Sequence, residues 1–263
     1  MKKAVFIGNC QMSGIREVLR YTPFYENYIV EQFANWQMIE SNSAPPTRSL
    51  STADLVIYQP LSDVHGCFST NPENPNSMLK NCKPDAITIS IPRIHNNSLW
   101  PLFRKNRDRQ DYYGGEYLKH CRPLSLDDLL YRYDTGQLNF DFESRYARNR
   151  DISIVKEQST DVKVTEYIHH NLRKKRLFLT QDHPTTDLFI HCTRQVCDIL
   201  DIEFPPTPEL GDNITGLQDS VYSNSSCRYP GSTYANQYFA FEWDTCVDNI
   251  FYRDVLIEHQ KTL

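Results

Sequence analysis

The sequence predicts an α/β fold, a parallel sheet carrying helices on its faces. Short apolar runs recur through the N-terminal half, at residues 3–7, 28–33, 54–58 and 86–91, each with the length and composition of a strand buried within a sheet. Polar or helix-patterned segments separate them, as in chains that cross from one parallel strand to the next. Turn chemistry closes three of the four runs: Gly8 after the first, Gln59-Pro60 after the third and Pro92 after the fourth.

The first run, Lys3-Ala4-Val5-Phe6-Ile7, passes through a Gly-containing turn into residues 13–21, where Ile15, Val18 and Leu19 recur at helical spacing. Tyr28 to Phe33, Asp54 to Tyr58 and Ala86 to Ile91 follow as strands, and loops after parallel strands converge on one edge. Residues from about 107 to 175 are charged, Tyr-rich and helical in pattern, and they read as an insertion. Within it, Ser125-Leu126-Asp127-Asp128 resembles a capping box, and Val162 to Leu172 reads as an amphipathic helix ending in the basic run Arg173 to Arg176, a solvated helix end. Leu177 to Leu179 reads as a further strand. Pro184 then suits the first turn of a helix whose apolar stripe is Leu188, Phe189, Cys192, Val196, Ile199 and Leu200. From about residue 205 the chain turns polar and irregular, with an aromatic stretch from Tyr238 to Phe251. The expected organisation is one α/β domain over 1–263 with a helical insertion and an irregular C-terminal extension.

A formal charge of -5 does not suggest a nucleic-acid footprint, which is normally a strongly basic face. No apolar stretch approaches the roughly 18 to 20 residues that span a bilayer, and the N-terminal apolar run is too short for a signal peptide. The expected location is the cytoplasm. Eight cysteines at irregular spacings, without a Cys-x-x-Cys pair, read as thiols outside any disulfide or zinc site. With only 9 glycines, the chain is expected to place each at a turn or a close approach, which draws attention to Gly8.

Gly8-Asn9-Cys10-Gln11 lies where the first strand hands over to the first helix. A helix N-terminus favours a thiolate by its partial positive charge, and its unpaired N–H groups hold an oxyanion or phosphate. Asn9 and Gln11 add side-chain donors to Cys10 there. The alternative is a small cysteine packed under a helix start. Asp182-His183-Pro184 supplies a candidate base with a neighbouring carboxylate at another strand end, against an ordinary helix cap. Gln59 offers a side-chain amide to an oxyanion site, or makes a simple turn. Arg93, after the fourth strand, is a candidate for phosphate. His183, Asp187 and His191 are spaced as metal ligands on one helix face, but Pro184 makes the first a cap position, so no metal site is assigned.

Gly8-Asn9-Cys10-Gln11, Asp54-Leu55-Val56-Ile57-Tyr58-Gln59-Pro60, Ile89-Ser90-Ile91-Pro92 and Arg176-Leu177-Phe178-Leu179-Thr180 leading to His183-Pro184 together resemble the WcbI family of capsular polysaccharide biosynthesis, over about residues 3 to 204. The resemblance implies a three-layer, doubly wound parallel sheet like that of the SGNH hydrolases, with Asn9 and Cys10 standing where those enzymes carry Asp and Ser. It also implies an acetyltransferase that binds coenzyme A or acetyl-coenzyme A near Gly8, Gln11, Ser13 and Arg93 and acylates a carbohydrate hydroxyl. His183 would be the base and Cys10 the acyl acceptor or a group positioning the thioester, with Asn9 and Gln59 beside it. Those hydrolases carry Asp-x-x-His, whereas Asp182 and His183 are adjacent, which leaves the orienting role of Asp182 open. The alternatives are an esterase or deacetylase of the same architecture and a noncatalytic ligand-binding module.

Overall fold

The computed structural model of the chain describes residues 1–43, 45–101, 121, 123–206 and 231–261. Its centre is a four-stranded sheet of β1 (Lys2–Gly8), β2 (Tyr28–Ala34), β3 (Leu55–Tyr58) and β4 (Ile87–Ser90) in the order β2-β1-β3-β4. All three pairings are parallel. The register places Gly8 opposite Ala34, Ile7 opposite Tyr58 and Tyr58 opposite Ser90, so the carboxyl ends of all four strands reach one edge.

Side chains alternate across this sheet as the two-residue period requires. Ala4, Phe6, Leu55, Ile57 and Ile89 face one apolar core, and Val5, Ile7 and Val56 face another. The first core is closed by α1 (Gln11–Leu19), through Met12, Ile15, Val18 and Leu19, and by α8 (Thr186–Leu200), through Leu188, Phe189, Cys192, Val196 and Cys197. The second is closed by α3 (Asn35–Glu40) and α4 (Thr47–Leu50), which bury Met38 and Leu50. A short helix, α2 (Phe24–Asn27), leads into β2, its Phe24 ring stacked on Tyr28.

Of the expected insertion, residues 107–120 and 122 lie outside the described residues, as do 102–106 before it. The remainder contains α5 (Leu126–Asp134), α6 (Phe142–Glu157) and α7 (Thr165–Asn171). Ser125 caps α5 as its sequence predicts, its Oγ accepting from Asp128 N at 3.1 Å. The helix expected from Val162 begins instead at Thr165. Residues 161 and 162 are held against β4, both of their N–H groups donating to the Ser90 carbonyl and Asp161 Oδ2 accepting from Ser90 N and Oγ. The buried Glu157 carboxylate then accepts from Val164 N and Thr165 N, each at 2.9 Å, and so caps α7 from a neighbouring helix.

Two further expectations are corrected. The strand around Leu177–Leu179 is β5 (Phe178–Thr180), and it pairs antiparallel with β6 (His183–Pro184) in a separate ribbon outside the parallel sheet. Pro184 therefore lies in that ribbon and not in the first turn of α8. Residues 207–230 of the expected irregular extension lie outside the described residues, but 231–261 contain α9 (Thr233–Phe239) and α10 (Asn249–Lys261). Their Ala235, Phe239, Tyr252, Val255 and Leu256 join the first core. Spaced aromatic and apolar residues supply this burial, although the intervening polar residues mask their periodicity.

Gly14 shows how closely α1 and α8 approach: a Cβ there would lie 2.5 Å from the Phe189 ring. Ala is the better helix former by about 1 kcal/mol, but overpacking a core costs about 1–3 kcal/mol. Gly14→Ala is expected to lower stability in urea unfolding, and Phe189→Leu in the same chain to restore part of it; a stabilised single variant would contradict this packing.

Candidate active site

The turn after β1 is organised by Gln11, which is 2% exposed. Its Nε2 donates to the carbonyls of Ile94 and Asp182, both at 2.7 Å, and its Oε1 accepts from Ile94 N and Gln59 Nε2, both at 3.0 Å. Both amide hydrogens and both lone-pair positions are thereby used. One side chain joins the β1–α1 turn to the loops after β3 and β4 and to the turn of the β5–β6 ribbon. Gln59 is also buried, and its Oε1 accepts from Asn9 N at 2.8 Å. Gly8 is required beneath it, because a Cβ would stand 2.8 Å from Gln59 Oε1 and 2.3 Å from Met12 Cγ.

These contacts change the reading of the turn. Asn9 Oδ1 accepts from Gln11 N at 2.9 Å, Met12 N donates to Asn9 O, and Ser13 N donates to Cys10 O. The amides of Asn9, Gln11, Met12 and Ser13 are satisfied within the protein, so the expected open anion-binding helix end is absent from those four positions. Gln11 and Gln59 act on the site by fixing its walls, not by offering donors to a ligand. Gly8 provides clearance, and Ser13 Oγ accepts from Gln32 on β2 at 2.9 Å.

Above the turn lies a cavity of about 370 Å³, lined in part by Asn9, Cys10, Trp36, His65, Arg93 and Asp182. It sits at the carboxyl edge of the sheet between β1 and β3, where the strand order reverses, the usual crevice for ligands in open α/β sheets. Cys10 is exposed there, and none of the described cysteines forms a disulfide. Asn9 spends its side-chain oxygen on Gln11 N, and its Nδ2 remains the donor end of that amide. Arg93 and His65 offer positive or polarisable groups, while Trp36 and Ile39 supply apolar wall.

The carboxylate of Asp182 meets partners from the loop after β4. Its Oδ1 lies 2.5 Å from Arg93 Nη2 and 2.8 Å from His95 Nδ1. Burial pushes this carboxyl up, but the hydrogen bond from His95 and the Arg93 charge outweigh it and hold the group well below the usual carboxylate range. A carboxylate at that distance requires His95 Nδ1 to donate, which in the neutral ring leaves Nε2 as the basic nitrogen. His183 instead has Nδ1 2.8 Å from Thr180 Oγ1, and burial pushes its imidazole down, with Asp182 opposing. The structure thus brings Asn9, Cys10, Gln59, Arg93 and Asp182 around one cavity, and joins to them through Asp182 the ring of His95, which the sequence reading missed. Its signal was its position in the loop after β4, two residues beyond Arg93.

His183, Asp187 and His191 do not converge: Asp187 pairs with Lys175 at 2.8 Å, and His191 stacks on Tyr167 while its Nε2 lies 3.1 Å from the Lys163 carbonyl. No group of three or more His, Cys, Asp or Glu among the described residues is arranged to hold a metal ion. No helix among them is long and apolar enough to cross a membrane.

A cysteine, a carboxylate–imidazole pair and an arginine at the edge of a parallel sheet define an α/β protein with an enzyme-like cleft. The chain belongs to the WcbI family of polysaccharide biosynthesis enzymes, whose model matches residues 3–205. No curated protein matches it. Among solved structures, one of WcbI, described as a novel polysaccharide biosynthesis enzyme, is similar at a TM-score of 0.59 and 19% identity, covering 78% of this chain and 72% of that one. That structure is described as native protein without a disulfide bond between coenzyme A and one of its cysteines.

Two outcomes follow. Gln11→Leu strands the Ile94 amide, two carbonyls and Gln59 Nε2, at about 1–3 kcal/mol for each buried group left unpaired, and is expected to cost about 3 kcal/mol or more in denaturant unfolding; a loss below about 1 kcal/mol would contradict the hub. The second concerns pH. Burial lowers the folded-state pKa of both His183 and His191, so below about pH 6.5 the unfolded chain binds more protons. Stability is full above that pH and is lost as pH falls toward the folded values. Tm is expected to drop by a few degrees between about pH 7.5 and pH 5.5, and by less in the His183→Gln, His191→Gln double variant; a flat profile would refute this.

Proposed function

We propose that this protein transfers an acyl group, most simply acetyl, from a coenzyme A thioester to a hydroxyl of a carbohydrate during polysaccharide or capsule assembly. The observation that carries the reading is the cavity itself, where exposed Cys10 shares a wall with Arg93 and with Asp182, the partner of His95. Membership of a polysaccharide biosynthesis family supports the substrate class, and the coenzyme named for the WcbI structure supports the donor. The residues present suit such a donor: Arg93 and His65 for phosphate oxygens, Trp36 and Ile39 for its apolar portions.

In this mechanism Cys10 Sγ bonds to the thioester carbonyl carbon as that carbon's bond to the coenzyme sulfur breaks, and the proton from Cys10 ends on the departing thiol. Asn9 Nδ2 is the side-chain donor beside the developing oxyanion. The acceptor hydroxyl then bonds to the same carbon as the Sγ–acyl bond breaks, its proton passing to His95 Nε2 and from there to the released Cys10 thiolate, which restores both groups. Asp182 holds that ring in the required tautomer and balances the imidazolium that forms. A doubly wound, SGNH-like arrangement over one domain and a cytoplasmic setting belong to the same proposal.

Calorimetric titration with coenzyme A and acetyl-coenzyme A is expected to give saturable binding, retained in Cys10→Ala. Transfer from labelled acetyl donor to a carbohydrate panel is expected to be abolished in Cys10→Ala and reduced about 10²–10⁴-fold in His95→Ala, with less than about tenfold loss in His183→Ala. Failure to bind either ligand at millimolar concentration, or full transfer by Cys10→Ala, would overturn the proposal; the reverse ranking of the two histidines would return the base to His183.

A further inference from the structure

A second, smaller pocket is lined by His95, the partner of Asp182. It is formed by the loop after β4 together with α6 and α7, and its lining includes His95, Asn96, Arg150, Ser153, Thr165 and His169. Two of these residues are almost fully buried, Asn96 at 1% and Thr165 at 5% exposure, and each carries a polar atom with no hydrogen bond among the described residues. Those atoms are Asn96 Nδ2 and Thr165 Oγ1. Asn96 is held rigidly, its Oδ1 accepting from Ser98 N and Oγ and its own N donating to the Gln181 carbonyl. Thr165 is fixed by its N–H to Glu157. Buried polar groups are ordinarily paired, because leaving one unpaired costs about 1–3 kcal/mol. Two at one small pocket mark a place where a bound water or a ligand group supplies the partners.

Size and charge narrow the ligand. The pocket volume of about 20 Å³ admits one small polar group, since a water needs about 10–15 Å³ on this measure. The lining includes one arginine and two histidines and no Asp or Glu, so an oxyanion suits it better than a neutral hydroxyl. His95 belongs to this pocket while its partner Asp182 lines the Cys10 cavity, so the Asp182–His95 pair links the two.

We propose that this pocket anchors the acceptor, seating the carboxylate or phosphate oxygens of an acidic sugar and so presenting a hydroxyl of that sugar across His95 to Cys10. This deepens the acyl-transfer reading and rests on it for the direction of the reaction, but the binding of an acidic sugar stands by itself.

The test is titration of the full chain with glucuronate, a hexose phosphate and glucose, monitored by protein NMR or calorimetry, in wild type, Arg150→Gln and Thr165→Val. Val matches Thr in shape, and Thr165 Oγ1 has no partner among the described residues to lose. Saturable binding of glucuronate or the hexose phosphate, absent for glucose and weakened about tenfold in both variants, is the expected result, and which anion binds identifies the acidic group. Coenzyme A affinity should be unchanged in both variants. The proposal fails if neither anion binds, as for a pocket holding a structural water only, if glucose binds equally well, or if the variants bind as wild type. Acidic-sugar binding without coenzyme A binding would sink the acyl-transfer reading and leave the pocket assigned.

Discussion

One buried carboxamide ties the functional end of this molecule together. Gln11 stands at the first position of α1, and its four hydrogen bonds reach the loop after β3, the loop after β4 and the turn between β5 and β6. Parallel strands deliver these loops to one edge, but the sheet alone fixes neither their heights nor their separations. The carboxamide does so because, in a water-poor interior, every unmade bond carries a cost and only one arrangement makes them all. Gly8 and Gln59 are part of the same constraint: the glycine leaves room for the Gln59 amide, and that amide holds both Gln11 and the backbone of Asn9.

From this follows the division of labour in the cleft. The turn amides are consumed in making the turn rigid, so what these loops present to the cleft is side chains: Cys10 and Asn9 from the first loop, Arg93 from the fourth strand's loop, and Asp182, paired with His95, from the ribbon. Asp182 has its backbone carbonyl on Gln11 and its carboxylate on Arg93 and His95. It therefore stands between the framework and the chemistry. Its depressed carboxyl pKa is the electrostatic signature of two donors pulling against burial.

The strands of the sheet were legible in the sequence because a strand buried on both faces is a continuous apolar run with turn residues behind it, as at Ala4–Ile7 and Leu55–Ile57. Cys10 was legible for a related reason, since a Gly turn between strand and helix is a local pattern. The ribbon was not: Leu177–Leu179 has the composition of a sheet strand, and only its long-range pairing with His183 and Pro184 keeps it apart. The partner of Asp182 was also beyond local reasoning. Adjacency pointed to His183, yet Asp182 lies in the turn before β6, and the ring that meets its carboxylate comes from His95, far back in the chain. Gln11 read as an exposed donor for want of any sign of its burial. The C-terminal helices were hidden because their apolar residues are interleaved with polar ones and are buried by parts of the chain distant in sequence, α5 and α6 among them.

The most direct test of the account is competition among thiols. Cys10, Cys67 and Cys246 are the exposed cysteines among the described residues, so each serves as a control for the others when the native protein is treated with the mixed disulfide of coenzyme A and sites are read by peptide mass spectrometry. The account predicts that Cys10 is labelled first, that acetyl-coenzyme A protects it, and that Arg93→Gln slows its labelling while leaving the other two unchanged. Equal labelling of all three thiols, or labelling of Cys10 that acetyl-coenzyme A does not slow, would contradict the claim that the cleft held by Gln11 is a coenzyme A site centred on Cys10.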